Sequence, residues 1–309
     1  MTTPSTPRPA ASPAAPSAPS APSAPSAPSA PSAPSAPSAL FVSHGAPTLP
    51  LDDVPARAFL RELGAALPRP RAIVAISAHT VARGVLVGSA PRMHAVHDFG
   101  GFPESLYRLR YDPPGDPALA SRVAARLVGA GIAPVGEATI DGLDHGIWVP
   151  LSQVWPQADV PIVVVSLDAR MDPAMHVAIG RALRGLDEEG VLVFASGSVT
   201  HNLRDVFGGG RPLQAPVEPY AQAFADWVGA RVVAGDVAGL SDWSGAPHAR
   251  RAHPTAEHFV PLLVAAGAGE AGTVLHESFT FGVLGMHAYG FAPAADAPAG
   301  FAPAGDAAG

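Results

Sequence analysis

The chain has 309 residues, a net charge of −7 and only 19 lysines and arginines, with no basic stripe, so a nucleic-acid or anionic-membrane partner is not expected. Cysteine is absent, which removes disulfides, thiolate nucleophiles and cysteine-bound zinc, whereas twelve histidines draw attention to metal or acid–base chemistry. No apolar run reaches the roughly 18 residues of a membrane span, and the N-terminus has no apolar signal core, so a cytoplasmic location is expected.

Residues 1–39 read as a disordered leader. From Pro4 to Ala39 nearly every residue is Pro, Ser, Ala or Thr, and residues 16–39 are eight repeats of Pro-Ser-Ala. Such triplets lack the apolar bulk that would offset the entropy of ordering them. ALFVS (39–43) then reads as a buried strand, and His44-Gly45 follows at once. Residues 54–66 carry apolar positions at three- and four-residue spacing and predict a helix. AIVAIS (72–77) is a second strand, followed by Ala78-His79. HAVHDFGGFPESLY (94–107) carries a Gly100-Gly101 pair among aromatics and reads as a mobile loop, a lid over a crevice.

Residues 117–130 predict a second helix. In GLDHGIWVPL (142–151), His145 precedes an apolar stretch, and Asp144 stands too close in sequence to orient its ring easily. PIVVVSL (161–167) is a third strand, 173–186 a helix, and VLVFAS (191–196) a fourth strand that runs into a small-residue loop ending at His201. A helix is expected over 216–234. In HPTAEHFVPLL (253–263), Pro254 and Thr255 predict a helix start with Thr255 as N-cap. Glu257 and His258 would then lie in the first turn, with Phe259, Leu262 and Leu263 packed inward. His253 reads as a loop residue, and His176, His248, His276 and His287 as surface or structural. The tail, 291–309, reads as flexible.

The strands show no two-residue alternation, as expected where both faces are covered. Their alternation with helices predicts an α/β fold: a single domain over 40–290, with a mostly parallel or mixed central sheet and helices on both faces. In such sheets ligands sit beyond the C-terminal strand ends. Three strands deliver a histidine there: His44, His79 and His201. His258 and His145 are further candidates. A histidine-rich centre suits iron, zinc, copper or nickel, and the residues alone leave that choice open.

FVSHGAPTLPL, AIVAISAHT, HDFGGFPESLYRLRYDPPGDP, GLDHGIWVPL, VLVFASGSVTHNLRD and HPTAEHFVPLL together resemble, in order and spacing, the LigB-like class III extradiol ring-cleaving dioxygenases, in the branch that acts on DOPA. The resemblance covers about residues 40–290. It implies a non-haem metal held by His44, His79 and His258. It places His201 at the metal too, as a fourth ligand in some members and as the acid–base residue in related enzymes. It gives His145 a second acid–base or substrate role. Where the family often has Trp, this chain has Thr80, which bears on substrate packing. The implied partners are a small aromatic catechol and O2, and the implied cofactor is Fe(II), with Zn(II) able to occupy the site. Glu257 is the one nearby carboxylate that could replace a histidine ligand. Two other readings stay open: a metal-dependent hydrolase, and a non-catalytic Memo-like metal-binding protein on the same fold.

Overall fold

The computed structural model describes residues 1–2, 36–133 and 135–294. The leader and tail expected from composition fall largely on residues 3–35 and 295–309, outside the described residues. The described residues 36–294 fall within one compact unit.

Six strands build the central sheet: β1 (Ala39–Ser43), β2 (Ala72–Ser77), β3 (Ile162–Val164), β4 (Val191–Gly197), β5 (Gly272–His276) and β6 (Ala288–Phe291). Their spatial order is β5-β6-β1-β4-β2-β3. β1, β4, β2 and β3 run parallel to one another, whereas β6 runs antiparallel to both β1 and β5. The sheet is therefore mixed.

Alternate side chains of each strand enter two cores. Ala39 and Phe41 pack with the helices Pro117–Gly129, Pro173–Ala182, Pro219–Ala234 and Val260–Ala268. Leu40 and Val42 pack on the other face with Pro55–Ala66 and His145–Val154. Each fully buried large side chain of this kind contributes about 1.5–3 kcal/mol, so both faces anchor β1. No helix among the described residues is long and apolar enough to cross a membrane.

Local chemistry sets the helix starts. Asp116 accepts from the Leu119 amide and Asp172 from the Ala174 amide, each with a proline at the start of its helix. The helix expected over 216–234 begins at Pro219, because Glu218 is extended there and its amide donates to Gly282 O. The helix expected over 173–186 ends at Ala182, and a short 3-10 turn, Asp187–Glu189, follows. The strand expected over 161–167 stops at Val164, and Leu167–Asp168 pairs separately with Val81–Ala82.

The folded unit also reaches beyond 40–290. Ser38 and Ala39, assigned above to the leader, and Phe291, assigned to the tail, are all buried. The Ser38 amide donates to Phe291 O at 2.9 Å, which closes the β1–β6 ladder at its outer end.

Candidate functional site

Three parallel strands end level with one another. Ser43 of β1 lies opposite Gly197 of β4, and Ser196 lies opposite Ser77 of β2. The residues that follow are stitched across this edge. The His44 amide donates to Gly197 O and the Ala78 amide to Ser196 O, each at 3.0 Å. The loop after β4 is tied to residues 252–258: Ser198 N donates to His258 O at 2.9 Å, and His201 N to Ala252 O at 2.8 Å. Gly197 permits this approach, since a β-carbon there would lie 2.2 Å from His258 O.

The ring centroids of five histidines gather at this edge. His44 lies 5.0 Å from His79, 5.4 Å from His145 and 5.3 Å from His258. His79 lies 4.0 Å from His145 and 4.9 Å from His258. His201 stacks on His258 at 3.5 Å.

Hydrogen bonds assign the tautomers of three of these rings. The Ser196 hydroxyl donates to Gly146 O, so its oxygen accepts the Nδ1–H of His44, at 2.9 Å. Glu257 Oε1 accepts the Nδ1–H of His258 at 3.1 Å and also the Thr255 hydroxyl. Asp98 Oδ1 accepts the Nδ1–H of His145 at 2.9 Å. In each ring the proton is held on Nδ1, which leaves the Nε2 lone pair free.

The freed Nε2 of His44 faces a further ring. Nε2 of His44 and Nε2 of His79 are 3.1 Å apart. Nε2 of His258 is buried with no hydrogen-bond partner. The unprotonated Nε2 atoms of His44 and of His258, the latter buried without a partner, are available to bind a cation. The rings are also kept neutral, as metal ligands must be. Burial, then the neighbouring His79 and His258, holds His44 well below its ordinary 6.5. Burial, then His201, does the same to His258. His79 is lowered by burial and by His145, and His201 is brought by burial to about 4. Two sets have candidate ligand atoms within 4.8 Å of one another: His44, His79 and His145, and His201, Glu257 and His258. The donor set fits a metal ion.

Residues 38–292 match the family model described as the catalytic LigB subunit of aromatic ring-opening dioxygenase. The chain belongs to the LigB family. It is 36% identical over 258 residues to a protein of Beta vulgaris named 4,5-DOPA dioxygenase extradiol, covering 81% of this chain and 95% of that one. A protein of the same name from Escherichia coli K12 is 38% identical over 80% of this chain and 92% of its own length. Among solved structures, an uncharacterized protein from Escherichia coli K12 superposes with a TM-score of 0.66 at 32% identity, over 81% of this chain and 98% of its own.

The LigB-family fold brings together all five histidines singled out in the sequence, but His258 reaches the site in a different way from that expected. The helix starts at Val260, and His258 sits in the turn before it. Thr255 does not cap that helix, because its hydroxyl is spent on the Glu257 carboxylate. His253 lies apart from the other rings, in an aromatic pocket of Phe224, Trp243 and Phe259, with its Nε2–H donating to Val199 O. His176 and His287 are buried within the structure.

Two carboxylates carry roles that the sequence did not disclose. Asp144 leaves its neighbour's ring alone and accepts the hydroxyls of Ser77 and Thr80, each at 2.6 Å. Asp98 binds His145 from the 94–107 segment. Burial pushes the Asp98 carboxyl up, but the bond from His145 outweighs it and holds the group below the usual carboxylate range. The segment expected as a lid is anchored. Trp148 Nε1 donates to Val96 O, and Phe99 packs against Phe102, Tyr107 and Trp148. In the sequence Asp98 is marked only by its place in HDFGG, between His97 and Phe99 and just before the glycine pair.

Proposed function

We propose that this protein opens the ring of a catechol of the DOPA type with dioxygen, at one non-haem iron(II) held by His44, His79 and His258, with His201 beside them. One observation carries the reading. Three rings have their Nδ1 protons held by Ser196, Glu257 and Asp98, which leaves each Nε2 free, and Nε2 of His44 lies 3.1 Å from Nε2 of His79. The names of the relatives from Beta vulgaris and Escherichia coli support the substrate class.

Iron(II), when bound, lets catechol and dioxygen exchange electron density, which zinc, lacking redox chemistry, does not. The chain's own residues handle position and protons. A histidine with an unprotonated ring nitrogen can take a proton from the second catechol hydroxyl and later return it. His201 and His145 are the two candidates. His145 has its Nε2 free for this task, and His201 is kept neutral by burial.

A second reading has one observation of its own. The candidate ligand atoms of His145 lie within 4.8 Å of those of His44 and His79, so His145 could replace His258 as the third ligand. Comparing the iron content of His145→Gln with that of His258→Gln decides between them: the ligand is the one whose loss empties the site.

The experiment for the function is anaerobic reconstitution with iron(II), followed by oxygen uptake with a panel of catechols that includes L-DOPA. Uptake with iron and none with zinc is expected. Turnover of an ester or amide by the zinc form, without oxygen, would establish the hydrolase reading instead.

A further inference from the structure

We propose that Asp98 is a positioning residue for ring opening: its Oδ1, accepting both the backbone N–H of His145 at 3.0 Å and the ring Nδ1–H at 2.9 Å, fixes the orientation and tautomer in which His145 presents Nε2 to the reacting centre. The inference rests on the reading of His145 as a group that handles a catechol proton.

The fold builds this contact deliberately. His94–Ala95 pairs in parallel with Gly142–Leu143, and the ladder continues as Val96 N donates to Leu143 O at 2.8 Å. Two parallel strands therefore leave the ladder side by side. One runs on to Asp98 and the other to His145, the first residue of the helix His145–Val154. A carboxylate at that end meets the positive pole of the helix as well as an otherwise orphaned amide.

A carboxylate that is ionised can only accept. Asp98 therefore requires the His145 proton to be on Nδ1, and Nε2 becomes the only ring atom able to receive another. The ring is also fixed sideways, with Phe99 edge-on at 5.8 Å and His79 at 4.0 Å. Asp144, the sequence neighbour of His145, is engaged elsewhere: its two oxygens accept the hydroxyls of Ser77 and Thr80. The comparable partners of His44 and His258 are Ser196 at the end of a central strand and the sequence neighbour Glu257. His145 alone of these three depends on a separate loop for its tautomer.

The test compares Asp98→Ala, Asp98→Asn, His145→Gln and the double variant Asp98→Ala/His145→Gln, all iron-loaded, for iron content, kcat and KM in oxygen uptake with a catechol. Asp98→Ala should keep its iron and its KM within a few-fold and lose about 10²-fold in kcat, the lower end of what one acid–base group supplies. Asp98→Asn, whose amide oxygen can still accept both bonds, should recover most of that loss. The double variant should be no slower than His145→Gln. Costs that multiply in the double variant would show that Asp98 acts elsewhere, and iron loss in Asp98→Ala would make it a support of the metal set; either overturns the proposal. A slow His145→Gln beside a wild-type Asp98→Ala refutes the role of Asp98 alone, whereas a wild-type His145→Gln refutes the role of His145 beneath it. Should Asp98→Ala fail to fold, NMR of isotope-labelled histidine in the metal-free wild type reads the tautomer directly. Nδ1–H is expected for His145, and Nε2–H would end the argument.

Discussion

Gly197→Ala tests how the site is held together, because the added atom points at the backbone of His258. The new β-carbon would fall 2.2 Å from His258 O, 3.2 Å from its carbonyl carbon and 3.3 Å from Phe41 Cε2. Side-chain carbons do not approach backbone oxygen closer than 3.0 Å, so a backbone, not a flexible tip, must move by about 1 Å. That oxygen also accepts the Ser198 amide, so the loop to His201 is drawn along with it. Overpacking of this kind costs about 1–3 kcal/mol. In a unit of this size each kcal/mol lowers Tm by about 2–4 °C, which gives a drop of roughly 2–12 °C. A 1 Å misplacement at a reacting centre costs about 10²-fold in rate. The assay is calorimetric Tm, iron content and oxygen uptake, with Gly100→Ala as the control, since a β-carbon there meets nothing within 4 Å. Wild-type Tm, iron and turnover in Gly197→Ala would refute the claim that this close approach fixes His258.

Three further outcomes are expected. His201→Gln should retain most of its iron and lose about 10²–10⁴-fold in turnover if the residue handles a proton; loss of iron in step with rate would make it a ligand instead. Asp144→Ala strands the buried Ser77 hydroxyl and the half-buried Thr80 hydroxyl beside His79, at about 1–3 kcal/mol for the buried donor left unpaired, and a Tm equal to wild type would contradict this. Burial brings His253 and His287 from 6.5 to about 4. The unfolded chain therefore binds protons that the folded chain refuses between those values, and the stabilisation, complete above pH 6.5, is lost as pH falls towards 4. Each residue should contribute a slope of about 1.4 kcal/mol per pH unit across that window, so denaturant titrations of metal-free His287→Gln should be flatter there than wild type by about that amount.

The parts of this protein that could be read from sequence are those specified locally. Continuous apolar runs marked β1, β2 and β4, and the histidine after each run was visible because a strand's exit fixes where its next residues stand. β5 and β6 escaped notice because GTVLH and AYGF are short, glycine-bearing and only weakly apolar. His258 was picked out, but its backbone was misjudged, since Thr255 had a second hydrogen-bonding option in Glu257 that removed it from capping. Asp98 was hidden for a different reason. Its partner is 47 positions away, and only the pairing of two two-residue strands brings them together.

The position of β1 governs when the protein can exist. β1, the first strand among the described residues, lies between two made much later: Ala39 pairs with Val193 on one side and Phe291 on the other. The hydroxyl of Ser38 reaches Phe291 O across 253 positions. Nascent chain carrying ALFVS and AIVAIS must therefore keep these sticky edges apart from other chains until nearly the whole polypeptide has emerged. No N-terminal fragment that ends before residue 258 holds the whole histidine cluster, because His201 and His258 lie beyond residue 200. The residues that could hold a metal are thus complete only late in synthesis, and lowering the growth temperature, which weakens association of the exposed apolar edges, should raise the yield of metal-competent protein more than it raises total protein.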